Sequence, residues 1–586
     1  TTYTTTANIT HTYAAAGLYT VTLTARGADG AVSRRTFVQA VATTATAKAP
    51  TRSSPMALET RSGASARLWV TNPDNNSVSV IDTATNARVA EIAVGTSPRS
   101  VAVAPDGRIW VVNKSSSTIS IVNPSTLAIA QTVSLARASQ PHGLAFSPSG
   151  AAAYVTLEAT GSLLKLSPST GAQQASLSLG LNIRHVSVTA DSAKVLVTRF
   201  ITPALTGEST ATVTTTGAGG DVLVVTASTM SLSKTVKLAH SDKTDTEIQG
   251  SGLPNYLAAA VISPDGKTAW VPSKQDNIKR GTLRNGQNLN FQNSVRAISS
   301  RVDLSTVAED LAKRMDHDNA SLASAAAYHG SGVYLFVALE TSREVAVADA
   351  INGRELFRID VGMAPQGVQL SADGKTLYVQ NFTERTVSVI DLSPLVVNGE
   401  LCASLVTNTP TVAIEKLAAA VLRGKQLFYD ARDPRLARDR YMSCASCHND
   451  GGQDGRVWDF TGMGEGLRNT VALNGRAGTG HGMLHWSGNF DEVQDFERQI
   501  RDFAGGTGLM ADADYLAGTR SQPLGDRKAG YSADLDALAA YLASLSTFSP
   551  SPYRSSAGAL TTATRHIRVS SLCTGDFRGK RQGARL

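Results

Sequence analysis

The sequence predicts a multidomain, mainly β protein: part of a β-sandwich, then a seven-bladed β-propeller, then a small all-α module. Three observations carry that reading. A four-strand unit recurs through the middle of the chain, an alternating two-strand pattern precedes it, and helical periodicity begins only after residue 412. The 586 residues exceed one domain, and 42% hydrophobic with 18% charged residues describes a globular chain. The net charge of +7 is spread thinly. Its short basic clusters, RLARDR at 435–440 and RGKRQGAR at 578–585, are too brief for a nucleic-acid patch. No apolar run reaches the ~18 residues of a membrane helix, so no transmembrane segment is expected. No leader-like segment opens the chain, and because it starts inside a motif, further N-terminal sequence is expected.

Residues 1–42 supply the first element. YTVTLTAR alternates with period two, ADGA makes a tight turn, and RRTFVQAV returns as a second strand. The H-T-Y…G-x-Y-T-V-T-L pattern resembles the closing half of a PKD domain, an immunoglobulin-like sandwich. His11 is expected there as a packing or turn residue. Residues 43–64, rich in Thr, Ser, Ala and Pro, read as a linker.

The propeller is expected over residues 65–400. RSVAVAPDGRIWVVN, HGLAFSPSGAAAYVTL and QGVQLSADGKTLYVQN share an inner strand, a Gly-containing turn and a second strand, with a period of about 42 residues. A four-stranded sheet cannot bury both faces alone, and radial stacking solves that problem. Inner strands begin near 99, 142, 184, 256, 324 and 366. A further unit, RLWVTNPDNNSVSVIDTATNARVAEIAVG, lacks an obvious inner strand; the other end of the chain or MALETR would supply it. The repeat resembles the YVTN family of propellers. Inserts at 201–220 and 274–318 break the period, and long loops on a regular scaffold are commonly functional or interfacial. Arg99, His142, Arg184, Asn255 and Gln366 precede the inner strands and face the axis. Such a ring could grip a small anionic ligand or a partner loop, or be lined with water. His185, His317 and His329 are expected to be structural.

Residues 412–548 form the all-α module, and 549–586 read as an extended tail. The module contains YMSCASCHND at 441–450, in a chain with four cysteines. C-x-x-C-H attaches c-type haem. Two thiols bond the porphyrin's two vinyl groups, and the adjacent imidazole meets the iron. Cys444 and Cys447 would carry the thioethers and His448 would be the proximal ligand. A thioredoxin-like dithiol would want a βαβ setting, and a zinc site a second ligand pair at finger spacing.

The surrounding pattern, Gly424 to Phe428, Cys444 to His448, Leu467–Arg468–Asn469, then His485 to Gly488 with FDEVQDFE, resembles the MauG and di-haem cytochrome c peroxidase superfamily. That resemblance implies a haem oxidoreductase or electron carrier. The chain departs from it in having a single C-x-x-C-H, so one haem c is expected. Met510 ranks first as sixth ligand, with Met483, His481, Met463 and His485 as alternatives. Arg468 is a candidate for a haem propionate. Trp458, Phe460 and Trp486 are candidates for the pocket wall. Haem attachment of this kind occurs outside the cytoplasm, where disulfides persist. Cys402 and Cys573 are expected as a bridge, against the alternative of two free thiols.

Three functions remain open on the sequence. One is an exported, periplasmic or cell-surface electron carrier whose propeller docks a redox partner. Another is a peroxidase-like enzyme whose propeller binds substrate. The last is a surface protein assembled into a larger redox array.

Overall fold

Seven antiparallel sheets succeed one another in a computed structural model that describes Thr4 and residues 8–560. They span residues 56–93, 98–134, 141–178, 183–239, 253–317, 323–360 and 365–410. Each is a meander, and neighbouring sheets share their cores. Trp69, Val78 and Val80 of the first pack on Val101, Ile109 and Val111 of the second. Met56, Leu68 and Val70 of the first meet Tyr378, Val387 and Val389 of the last, and this contact closes the ring.

Met56–Arg61 is the inner strand of the first blade, paired with Ala64–Asn72, so the first blade draws its inner strand from adjacent sequence and not from the other end of the propeller. The last blade ends in Ser404–Pro410, beyond residue 400 where the propeller was expected to end. The Asn that ends the second strand has a repeated job. Asn72 donates to Ser77 (3.1 Å) and Ser79 (2.8 Å), Asn113 to Thr118 (3.1 Å) and Ser120 (3.0 Å), and Asn381 to Thr386 (3.0 Å) and Ser388 (2.8 Å). One amide thus satisfies the buried hydroxyls of the next hairpin, as buried polar groups require.

Residues 43–55, expected as a linker, are ordered against the propeller instead. Thr51–Arg52 adds a strand to the fourth blade. Arg52 donates to Ala326 O (3.1 Å) and Val368 O (2.7 Å), and the backbones of Ser53 and Ser54 bond Val186 and Val101 (2.8 and 2.9 Å). A polar segment of this kind supplies partners for backbone groups at the mouths of several blades. Gly17–Arg26 and Val32–Val41 form one hairpin in continuous register, whose Leu18 and Ala40 pack on the last blades. His11 stands exposed, its ring 4.6 Å edge-on from Tyr13.

After the ring, the helices Ala419–Tyr429 and Ala533–Ser544 cross at Gly424, where a Cβ would overlap the Ala537 carbonyl and Tyr541. Arg423 grips Asp534 through two 2.8 Å bonds beside that crossing. Lys425 reaches down to Asp74 on the first blade (2.7 Å), which Arg385 of the last blade also holds (2.7 Å). Burial works to raise the Asp74 pKa, but Lys425 and Arg385 outweigh it and hold it at about 2.

Two predictions follow from these contacts. Gly424→Ala should destabilise the protein by about 1–3 kcal/mol through overpacking, read as a lower Tm. Asp74 lies below its unfolded value, so its contribution is complete above about pH 4 and is lost as pH falls toward 2. Asp74→Asn should therefore lower Tm at pH 7 and flatten the fall between pH 5 and 3, with about 2 kcal/mol at stake.

Candidate functional site

The C-x-x-C-H segment forms one helical turn, Ala445–His448, closed by His448 N–H to Cys444 O at 2.9 Å. Three-residue spacing puts Cys444 and Cys447 on the same side of that turn. Cys444 packs among Phe428, Tyr541, Leu484 and Phe496. Cys447 packs among Met442, Trp458, Leu253 and Leu289. The thiols therefore open into two separate apolar clusters. Burial keeps both protonated, raising Cys444 to about 11 and Cys447 well above its ordinary value.

The His448 Nδ1–H donates to Gly452 O at 3.2 Å, which reserves Nε2 as the lone-pair nitrogen. Burial lowers its pKa, favouring the neutral imidazole that a metal requires. The hairpin Val457–Phe460 and Gly466–Asn469 sets Trp458 directly opposite Arg468, so the two share a face. Arg468 Nε makes no hydrogen bond, and its carboxylate neighbour Glu465 stands 3.4 Å away. Two thiols on one turn, an oriented imidazole, an indole beside Cys447 and a guanidinium opposite that indole are the residue types that haem c needs.

The turn is seated on the propeller. The buried Ser446 hydroxyl meets Ser321 (2.7 Å), and the Tyr256 hydroxyl donates to Cys447 O (2.7 Å). Asn449 donates to Glu340 (3.2 Å). Asp450, with φ of 57°, then turns into the channel, where Arg99 (3.1 Å) and Arg184 (3.3 Å) hold its carboxylate. Burial opposes that charge, but the two guanidiniums keep its pKa well below the carboxylate range. The basic ring thus grips a loop of its own chain. Asn255 joins in, donating to Asp454 O at 2.8 Å, and Gln366 donates to Glu340 at 2.9 Å.

Beneath Cys447 lies a fully buried ion cluster. Lys274 Nζ contacts Asp276 (2.9 Å) and Asp454 (3.2 Å), and the Trp458 indole donates to Asp454 (3.1 Å). Burial works against the Asp454 carboxylate, but Lys274, the Thr470 hydroxyl and Arg456 together outweigh it and lower its pKa. Both inserts act here as clamps. Glu208 pairs with the buried Arg456 (3.1 Å), and Asp459 accepts from Leu283 N (2.7 Å). Lys274, Asp276, Tyr256, Asp450 and Asp454 were not singled out from sequence. The acidic Asp450 two residues after C-x-x-C-H, opposite an arginine-bearing rim, was the available signal for one of them.

The other candidates are placed as follows. Met510 is 3% exposed, with its backbone tied to Glu497 (3.1 Å) and Arg501 (2.7 Å). Its neighbour Leu509 packs with Leu427, Leu436, Ile500 and Leu535, a cluster that holds neither thiol. Met483 and Met463 are 59% and 40% exposed. His481 bonds Gly475 O (2.9 Å). His485 is engaged at both nitrogens, by Asn489 (2.8 Å) and Gln499 (3.1 Å). Trp486 is exposed and donates to Asn469 O (3.0 Å), while Phe460 lines the Cys447 cluster. His317 sits in a blade between Ser299 (2.9 Å) and Glu355 (3.0 Å), and His329 against Ser331 (2.8 Å). Cys402 is exposed; Cys573 lies outside the described residues. No helix among the described residues is long and apolar enough to cross a membrane.

Comparison with known proteins agrees with this architecture. Residues 418–506 match the family described as di-haem cytochrome c peroxidase, and residues 1–40 match the PKD domain. No curated protein matches the chain. Among solved structures, hydrazine synthase of Kuenenia stuttgartiensis aligns at 16% identity over 59% of this chain and 97% of its own, with a TM-score of 0.47. The chain is therefore a mainly β protein with a seven-bladed propeller, a PKD-type N-terminal segment and a C-terminal region of the haem peroxidase type.

Proposed function

We propose that the chain is an extracytoplasmic electron-transfer protein that carries one haem c. Cys444 and Cys447 hold the porphyrin, His448 supplies the proximal nitrogen, and the propeller is the platform. Haem bound there would supply a one-electron couple. The observation that carries this reading is the seating of the haem-binding turn. Contacts from Ser321, Tyr256, Glu340, Arg99 and Arg184 fix it on a rigid ring. A donor fixed in orientation suits electron exchange with a docked partner more than substrate turnover in a mobile site.

For the sixth ligand we favour a thioether from the loop around 483. Leu484 packs in the cluster that holds Cys444, whereas Leu509 beside Met510 packs elsewhere. The imidazoles of His481 and His485 already have hydrogen-bond partners. The peroxidase-type match of residues 418–506 supports a second reading, a haem peroxidase, which the same experiment separates.

The holoprotein should show a low-spin reduced spectrum unaltered by carbon monoxide. Met483→Ala should convert it to high spin and Met510→Ala should not. A wild-type high-spin ferric signal that shifts with cyanide or peroxide would replace the carrier reading with the enzyme. An intact mass equal to the bare polypeptide, after maturation in a host that attaches haem c, would remove both.

The buried ions beneath Cys447 give a second prediction. Charge in a low-dielectric interior acts strongly on a nearby redox centre. Asp454→Asn removes a negative charge and should raise the haem reduction potential, while Lys274→Met should lower it. A spectroelectrochemical titration checks the opposite signs.

A further inference from the structure

Beside the Asn449–Asp450 loop the propeller channel holds a cavity of ≈ 80 Å³. That is room for several waters or for a ligand of a few heavy atoms. The wall is divided. Phe200 and Tyr256, stacked at 4.3 Å and 8°, form an apolar side with Leu322 and Ala258. His142, His185 and Arg184 form a polar one.

The two imidazoles are the unexplained feature. They stand edge to face with centroids 5.0 Å apart, and His142 is 7% exposed. Neither ring is hydrogen-bonded to another described residue; His142 Nδ1 is enclosed and unpaired, and both rings line the cavity. Imidazoles without protein partners at a cavity wall are available to what enters it. Burial, reinforced by neighbouring cations, holds both imidazoles neutral, so each presents one N–H donor.

Charge selects what enters. Arg99, Arg184 and Lys114 carry three positive charges around this wall, and Asp450 and Glu158 carry two negative ones. Glu340, the other carboxyl at the cavity, is bonded to Gln366 and Asn449, and burial pushes its pKa up to about 7. One positive charge is thus left without a full counter-ion. A donor-rich, net positive end and an aromatic end together match an amphipathic anion.

We propose that the propeller channel is a binding site for a small organic monocarboxylate. Its carboxylate meets His142, His185 and the rim cations, and its carbon skeleton lies against Phe200, Tyr256 and Leu322. The cavity borders the C-x-x-C-H turn through the Asn449–Asp450 loop and through Tyr256, whose hydroxyl bonds Cys447 O.

The test is calorimetric titration of the intact holoprotein with sodium butyrate, with butylamine hydrochloride and sodium chloride as controls. Imidazole nitrogen resonances of His142 and His185 are followed in parallel. Butyrate should bind saturably at one site and move both resonances, and neither control should. His185→Phe, which fills the cavity, should weaken butyrate by at least about tenfold. Absence of saturable heat, equal binding of the controls, unmoved wild-type resonances or unchanged affinity in His185→Phe would each overturn the proposal. If that variant fails to fold, the wild-type resonances decide. None of these readouts involves the iron, so failure here leaves the haem reading intact.

Discussion

A carboxylate taken into a protein interior must be paired, and the pairing of Asp450 governs how this molecule is put together. Its carboxylate sits between Arg99 and Arg184, which belong to different blades. Left alone, two guanidiniums lining a channel repel each other, and a buried Asp would take up a proton. Together they satisfy one another, and Glu158 completes the account by pairing Arg184 (2.9 Å) and Lys114 (2.7 Å). Because Asp450 stands two residues after His448, the same contact fixes the C-x-x-C-H turn on the axis of the ring. Breaking a buried pair of this kind by removing one partner typically costs about 3–5 kcal/mol.

The inserts extend that logic to the rim. A regular four-stranded blade offers short turns that can touch a neighbour but cannot embrace it. The 201–220 insert brings Glu208 to the buried Arg456, and Arg284 from the other insert donates to Val457 O at 3.0 Å. Both target the segment that connects the C-x-x-C-H turn to Trp458. The lengthened strand Thr268–Asp276 also carries Lys274 and Asp276 beyond the ordinary edge of its blade, under Cys447. Departures from the repeat are therefore where the propeller acquires its particular role, while the repeat itself supplies stiffness.

Much of this was legible in the sequence, and for a physical reason. Blades are local structures: each hairpin is closed by nearby residues, and the Asn72, Asn113 and Asn381 amides work within eight positions of themselves. C-x-x-C-H is local too, a single turn whose chemistry needs that spacing. What could not be read was pairing at long range. Arg99 and Asp450 are 351 positions apart, and Tyr256 and the Cys447 carbonyl 191. The rim arginines were visible as a ring, but not that the chain itself would fill part of it. Residues 43–55 carry the composition of a linker because a segment bonded through its backbone has little need of apolar side chains.

The two sides of the C-x-x-C-H turn are held differently. On the propeller side, the partners of the turn are short, buried and mostly charged or hydroxylic, so that side cannot shift without exposing unpaired groups. On the other side lie loops whose larger side chains stand open, Met463, Met483 and Trp486 among them. There the Glu465 carboxylate bonds Ser487 (2.5 Å) and Asn489 (2.9 Å), and Asn489 passes the connection on to His485 and Gln499. Such exposed, hydrogen-bonded loops open at lower free energy than a buried ion cluster. The position of the C-x-x-C-H turn is thus set by the ring, while the loops facing away from the ring keep room to adjust. A protein built this way holds one side of the turn fixed and confines adaptability to its exposed surface.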